Sequence, residues 1–234
     1  LAIFETVKKI TVTEQIMDQI ANLITSGALQ PGEQLPNERA LAMQLGVTRG
    51  RVREALRALS LIGLITIRAG EGSFVNRMEM PLPGETIRWM FHNEIHNLDE
   101  VFAARKLIES EVYRSAARHL SDEQLGVLER MIESCSASPE QEPAQQLLER
   151  LDEVDLYVGE HCGSGIYAKL MQTSVLLRRE TSLKLLAVPG AYKSGMRGRT
   201  AVLEAMKARD LSLFEKSMAD FFASSLQFCN SILR

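Results

Sequence analysis

The chain has 234 residues, 45% of them hydrophobic, and its 27 Lys/Arg against 30 Asp/Glu leave a net charge of −3. This length has room for two domains, the hydrophobic content excludes a disordered chain, and the small net charge says little about nucleic acid. Cys135, Cys162 and Cys229 are too few and too far apart for a disulfide scaffold, and the longest apolar run, about nine residues near positions 59–67, falls short of the roughly twenty that a membrane span needs.

Residues 11–26 predict a first helix, with Ile16, Ile20, Leu23 and Ile24 on one face. Gly27 stops it and Pro31-Gly32 turns the chain. Residues 38–45 predict a second helix capped by Asn37, and the Gly46-Val47 turn leads to a third, capped by Thr48. In the third helix Val52, Ala55, Leu56 and Leu59 form a buried stripe. Arg49, Arg53 and Arg57 follow one another at four-residue spacing along a neighbouring face. Residues 64–67 and 73–75 predict two short strands joined at Gly70-Glu71-Gly72. Helix, turn, arginine-bearing helix and hairpin make a winged helix-turn-helix, which places one helix in the DNA major groove. Charge distribution agrees: residues 1–78 hold nine Lys/Arg against seven Asp/Glu, and the remainder holds 18 against 23.

Met80-Pro81-Leu82-Pro83-Gly84 reads as a linker. Beyond it, helices are expected at residues 85–93, 98–119, 122–134, 144–162, 165–186, 197–208 and 211–233, with loop chemistry at 136–143 and at Val188-Pro189-Gly190. No alternating strand pattern follows residue 78. The fold class is therefore mainly α, an N-terminal winged helix-turn-helix with a small β wing and a C-terminal all-α bundle. The expected division is a DNA-binding domain at 1–78, a linker with its helix at 79–97 and a helical domain at 98–234. No secretory leader pattern opens the chain, so a cytoplasmic location away from membranes is expected.

Three stretches carry a family resemblance: GALQPGEQLPNERALA at 27–42, GVTRGRVREALRAL at 46–59 and the wing ending GEGSFV at 70–75. They resemble the GntR family of bacterial transcription regulators. The body, through VFAARKLIESE at 101–111, SGIY at 164–167 and VLEAMKARD at 202–210, resembles the FadR-type effector domain known as FCD. The resemblance implies a homodimeric regulator of repressor type, binding a palindromic double-stranded operator. It implies that residues matching Arg39, Arg49 and Arg53 approach that operator. Arginine suits the task, because its fork can donate twice to guanine and its charge binds phosphate. Thr48 can reach a phosphate from the helix N-terminus. Arg51 stands where the family often has a small residue, and adds a phosphate contact or alters base preference. Arg68, Gly70 and Gly72 belong to a wing tight enough for the minor groove. Glu71 suits no phosphate surface and is expected to point away or to weaken the wing contact. The alternative for the arginines is a solvated helix face.

Many FCD domains hold a divalent metal with one Asp and three His, and a small carboxylate effector completes the coordination. Counting along this chain from Ser164-Gly165, from 202–206 and from Asp210 puts Glu153, Tyr157, Arg199 and Phe221 at those positions. None of the three expected histidines is present, so the metal site reads as lost and no cofactor is expected. His92 and His96 have ligand-compatible spacing but lie outside the matched region. His119 closes a helix, and His161 stands one turn beyond Tyr157. The remaining expectation is a metal-free pocket in which Arg105 and Arg199 hold a small carboxylate or phosphate, with hydrogen bonds from Tyr157 and Glu153. Arg105 pairing with Glu109, with Arg199 at the surface, is the alternative. A regulator without an effector, acting by DNA occupancy or through a protein partner, also stays open. No enzyme is expected: the sequence has no Ser/His/Asp or Cys/His arrangement, no HExxH and no phosphate-binding loop.

Overall fold

The structure is a computed structural model that describes residues 10–76, 84–91, 97–136 and 143–232. It divides into two compact units between Thr86 and Ile87. His92, His96 and most of the 80–84 linker lie outside the described residues.

In the first unit, α1 (Val12–Thr25) opens on a capping box. Thr11 accepts from the Glu14 amide, and the Glu14 carboxylate accepts from the Thr11 amide. α2 (Glu38–Leu45) is capped by Asn37 and stops at Gly46, whose φ of 64° makes the tight turn possible. α3 (Arg49–Leu61) is capped by Thr48. Ile16, Ile20 and Ile24 of α1 pack with Leu41 of α2 and with Val52, Leu56 and Leu59 of α3 in one core. The hairpin closes that core with Ile65 and Val75. β1 (Ile65–Arg68) pairs antiparallel with β2 (Gly72–Val75), and Arg68 sits opposite Gly72. β1 therefore starts and ends one residue later than the sequence predicts, and β2 starts one earlier. The segment before α2 covers the outer edge of β2, with Leu35 N donating to Ser73 O and Val75 N to Glu33 O.

α4 (Gly84–Met90) straddles the division. The second unit is all helix: α5 (Leu98–His119), α6 (Asp122–Ser136), α7 (Ala144–Glu160), α8 (Gly165–Leu186), α9 (Ala191–Lys207) and α10 (Leu211–Ile232). Its core runs from Val112 and Ala116 of α5 through Leu128, Val154 and Met171 to Phe214 and Phe222. α9 begins six residues earlier than the sequence predicts. Gly195 and Gly198 lower the local helix propensity, but packing overrides it. At Gly198 an added Cβ would lie 2.5 Å from Cδ2 of Phe221, so the missing side chain lets α9 approach α10. The turn into α8 depends on Gly163 in the same way: its φ is +80°, and a Cβ there would meet the His119 ring at 2.7 Å. His119 Nδ1 lies 2.8 Å from Ser115 O, the helix-end role expected of it.

Candidate DNA interface and effector cavity

Thr48, Arg39, Arg49, Arg51 and Arg53 are all exposed on α2 and α3. Arg49, Arg51 and Arg53 are paired with carboxylates. Arg53 donates from Nε and Nη2 to the two oxygens of Glu38, at 2.8 and 2.6 Å. Arg49 Nη2 lies 3.8 Å from the same carboxylate. The hydrogen bonds from Arg53, helped by the charges of Arg53, Arg49 and Arg57, hold the Glu38 pKa below its ordinary value against the opposing effect of burial. Arg51 pairs with Glu54 at 3.0 Å, and Glu54 also accepts from Thr13 of α1. The Thr48 hydroxyl caps α3 by accepting from Arg51 N. Glu38 and Glu54 thus pair with Arg49, Arg51 and Arg53 along this exposed face.

In the wing, Arg68 lies over the Phe74 ring and 3.5 Å from Glu71. Glu71 therefore turns back on its own strand. Gly70 is exposed at the tip with φ +77° and open space around it. Gly72 has a different reason to be glycine. A Cβ there would lie 2.7 Å from Nε2 of Gln34, which donates to Glu71 O at 2.5 Å and fastens the wing to the unit.

In the helical unit, Arg105 of α5, Arg178 of α8 and Arg199 of α9 line a cavity of about 90 Å³. Leu148, Tyr192, Phe221 and Phe228 supply apolar walls, and Ser182, Ser194, Ser224 and Ser225 supply hydroxyls. Each guanidinium is buried and answered by a carboxylate. Arg105 donates to Glu109 at 3.0 and 3.4 Å. Arg178 Nη2 donates to Asp152 at 2.9 Å and to Asp155 at 2.6 Å. Arg199 grips Asp155 at 2.6 and 2.9 Å, Tyr113 donates to Asp155 at 2.5 Å, and Ser174 donates to Glu109. Three guanidiniums thus face three carboxylates, the pairing that burial of charge demands. Burial works to raise the Asp155 pKa, but Arg199 and Arg178 outweigh it and hold that carboxyl well below the usual range. For Asp152 burial wins over Arg178, and the pKa is pushed up to about 6. Asp152 Oδ2 and Arg178 Nε are buried without a hydrogen-bond partner.

The structure brings Arg105 and Arg199 together but leaves Glu153 and Tyr157 elsewhere. Glu153 is exposed. The Tyr157 hydroxyl donates to Gln124 O, and its ring stacks on His161 at 4.2 Å. The reason is helical phase. At about 100° per residue, Asp152 and Asp155 face inward with Leu148 and Val158, while positions 153 and 157 turn away. Counting back from Ser164 across the turn before α8 misses that phase. Arg105 does pair with Glu109, but Arg199 is buried rather than at the surface. Tyr113, Asp152, Asp155 and Arg178 escaped the sequence reading, which named Glu109 only as the alternative partner of Arg105. Polar residues at four-residue spacing inside apolar stripes were their signal: Arg105, Glu109 and Tyr113 on α5, and Ser174, Arg178 and Ser182 on α8.

A divalent metal does not fit these residues. Arg199 already occupies Asp155, and a guanidinium offers no lone pair. One turn beyond Asp155 stands Gly159, where a Cβ would meet Met171 at 3.0 Å. His161 turns its Nδ1 to Tyr157 O and does not line the cavity. Among the described residues, no three His, Cys, Asp or Glu side chains come together to hold a metal ion. No described helix is long and apolar enough to cross a membrane.

Residues 12–75 match the family described as bacterial regulatory proteins, gntR family, and residues 100–224 match the FCD domain. The HTH-type transcriptional regulator Mce2R of Mycobacterium tuberculosis is 49% identical over 61 residues, covering 26% of this chain and 25% of Mce2R. The HTH-type transcriptional repressor NanR of Salmonella newport is 33% identical over 132 residues, covering 54% of this chain and 50% of NanR. The chain thus spans half or less of the length of these curated relatives. A solved structure of Streptococcus agalactiae GntR shares the fold, with a TM-score of 0.70 at 21% identity over 91% of this chain and 98% of that one. With its winged head and a domain match over more than half its length, the chain belongs to the GntR family of bacterial regulatory proteins, in the branch that carries an FCD domain.

Proposed function

We propose that the chain is a sequence-specific DNA-binding transcriptional regulator of repressor type, acting as a homodimer. In this reading a small anionic metabolite in the helical domain modulates its operator affinity. Arg49 and Arg53 contact base edges or adjacent phosphates, Thr48, Arg51 and Arg39 contact phosphates, and the wing tip at Arg68 and Gly70 enters the minor groove. A two-fold dimer presents two such helices to a palindrome. The repressor sense is supported by the similarity to NanR of Salmonella newport, a transcriptional repressor.

The observation that carries the effector reading is the convergence of Arg105, Arg178 and Arg199 on one small, largely apolar cavity with serine hydroxyls on its wall. A carboxylate or phosphate entering it gains charge-assisted hydrogen bonds. The volume suits a small metabolite rather than a long acyl thioester. The carboxylates that answer the arginines favour a second reading, a regulator with no effector, in which the ion cluster only ties α5, α7, α8 and α9 together. A thermal-shift screen of the full chain against small carboxylates and sugar phosphates separates the two. Under the first reading a ligand raises the melting temperature by mass action, and Arg105→Ala with Arg199→Ala removes that shift. A ligand whose effect survives that double change sinks the assignment of the cavity, and silence across the screen favours the second reading.

A further inference from the structure

Glu38 is the first residue of α2, held in place by the Asn37 cap and by the favourable end of the helix dipole. Its carboxylate takes Arg53 side-on, consuming Nε and one hydrogen of Nη2. The guanidinium keeps its far edge, Nη1 with the second hydrogen of Nη2, and among the described residues no protein acceptor takes Nη1. The Arg53 side chain is 50% exposed, so that edge is open to an incoming duplex. Two parallel donors of this kind match O6 and N7 of guanine in the major groove. An unsupported arginine would sample many rotamers and accept any phosphate in reach; a fixed fork reads one base edge.

Resting on the DNA-binding reading of the winged unit, we propose that Glu38 is a specificity-determining residue: it holds Arg53 so that the free edge of the guanidinium reads one guanine in each half-site. Glu38 need not touch DNA to do this; it is a positioning residue. The competing role is a latch, in which Glu38 merely occupies Arg53 until DNA displaces it. The two roles differ in sign. A latch weakens binding to every duplex alike, so its removal raises affinity without regard to sequence. A positioning carboxylate sharpens one base, so its removal blunts that base while binding to arbitrary DNA holds or rises.

The experiment is selection of the full chain on a randomised DNA duplex, followed by affinity measurements at matched salt on the selected duplex, on one with the guanine replaced and on an unrelated duplex. The wild type should enrich a guanine in each half-site, and Arg53→Ala should erase that preference. Arg53→Lys, which keeps the charge but loses the fork, should erase it as well. Glu38→Gln should cut the preference by about tenfold without weakening the unrelated duplex, and circular dichroism should remain unchanged. An undiminished guanine preference in Glu38→Gln, or an equal gain on all three duplexes, overturns the proposal in favour of the latch. Failure of the wild type to enrich any sequence would instead sink the DNA-binding reading itself, and this inference with it.

Discussion

Arg199 and Asp155 close a two-point ion pair inside the helical unit, Nη1 to Oδ1 at 2.6 Å and Nη2 to Oδ2 at 2.9 Å, with the Tyr113 hydroxyl on the same carboxylate. Both side chains are buried, at 9% and 2% exposure. The pair therefore binds α9 to α7, and it places a fixed positive charge where the family resemblance leads one to look for a metal. Removing one partner leaves the other charged and desolvated. Arg199→Met should lower the unfolding free energy of the full chain by about 3–5 kcal/mol. Combining it with Asp155→Asn should recover part of that loss, because no uncompensated charge then remains. Urea unfolding followed by circular dichroism checks both, and a single variant as stable as wild type would refute the pairing.

The same cluster sets a pH dependence. Asp152 has its folded pKa raised to about 6 from an ordinary 3.8, so folding favours its protonated form. That contribution is fully present below about pH 4 and is lost as the pH rises through about 6. Between about pH 5 and about pH 7 it should remove about 1 kcal/mol of stability. Asp155, held low by Arg199 and Arg178, works in the opposite sense: its contribution is present above the ordinary carboxylate range and is lost only in acid. Asp152→Asn should flatten the loss between pH 5 and 7 and leave the acid limb in place. Unfolding of the two proteins across that window tests the assignment.

On DNA, Arg49→Ala and Arg53→Ala should each cost about 1–3 kcal/mol of operator affinity at fixed salt. Arg51 is tied to Glu54 on its own helix. Arg51→Ala should therefore weaken all duplexes by a similar, smaller amount and reduce the salt dependence by about one phosphate contact. Unchanged gel shifts for both Arg49→Ala and Arg53→Ala would remove α3 from the interface.

The proposed homodimer has a candidate surface in the helical unit. Leu107, 75% exposed on α5, and Leu170, 39% exposed on α8, line one apolar groove with Phe214 and Met218. Apolar side chains grouped in this way mark association surfaces. Light scattering of the full chain at tens of micromolar should give a dimer. Leu107→Asp should shift it toward monomer with the helical signal unchanged. A wild-type monomer at that concentration would count against the dimer, and an undisturbed dimer in the variant would move the interface elsewhere.

Local chemistry in the sequence determined much of this protein. The periodicity of Ile16, Ile20 and Ile24, the caps at Asn37 and Thr48, the left-handed turn at Gly46 and the glycines of the wing define the winged unit without reference to anything distant. Arginine spacing alone puts Arg49 and Arg53 on one exposed face. Tertiary structure decided the rest, because the deciding partners are remote in the chain. Glu38 meets Arg53 across 15 residues and Asp155 meets Arg199 across 44, and no local pattern announces either pair. Which face of α7 turns inward was fixed by packing of Leu148, Val154 and Val158. That packing set Asp152 and Asp155 against Arg178 and Arg199 and turned Glu153 and Tyr157 away. The early start of α9 has the same origin: Gly195 and Gly198 weaken a helix in isolation, and the close approach to Phe221 that Gly198 permits is stabilising only once α10 is in place.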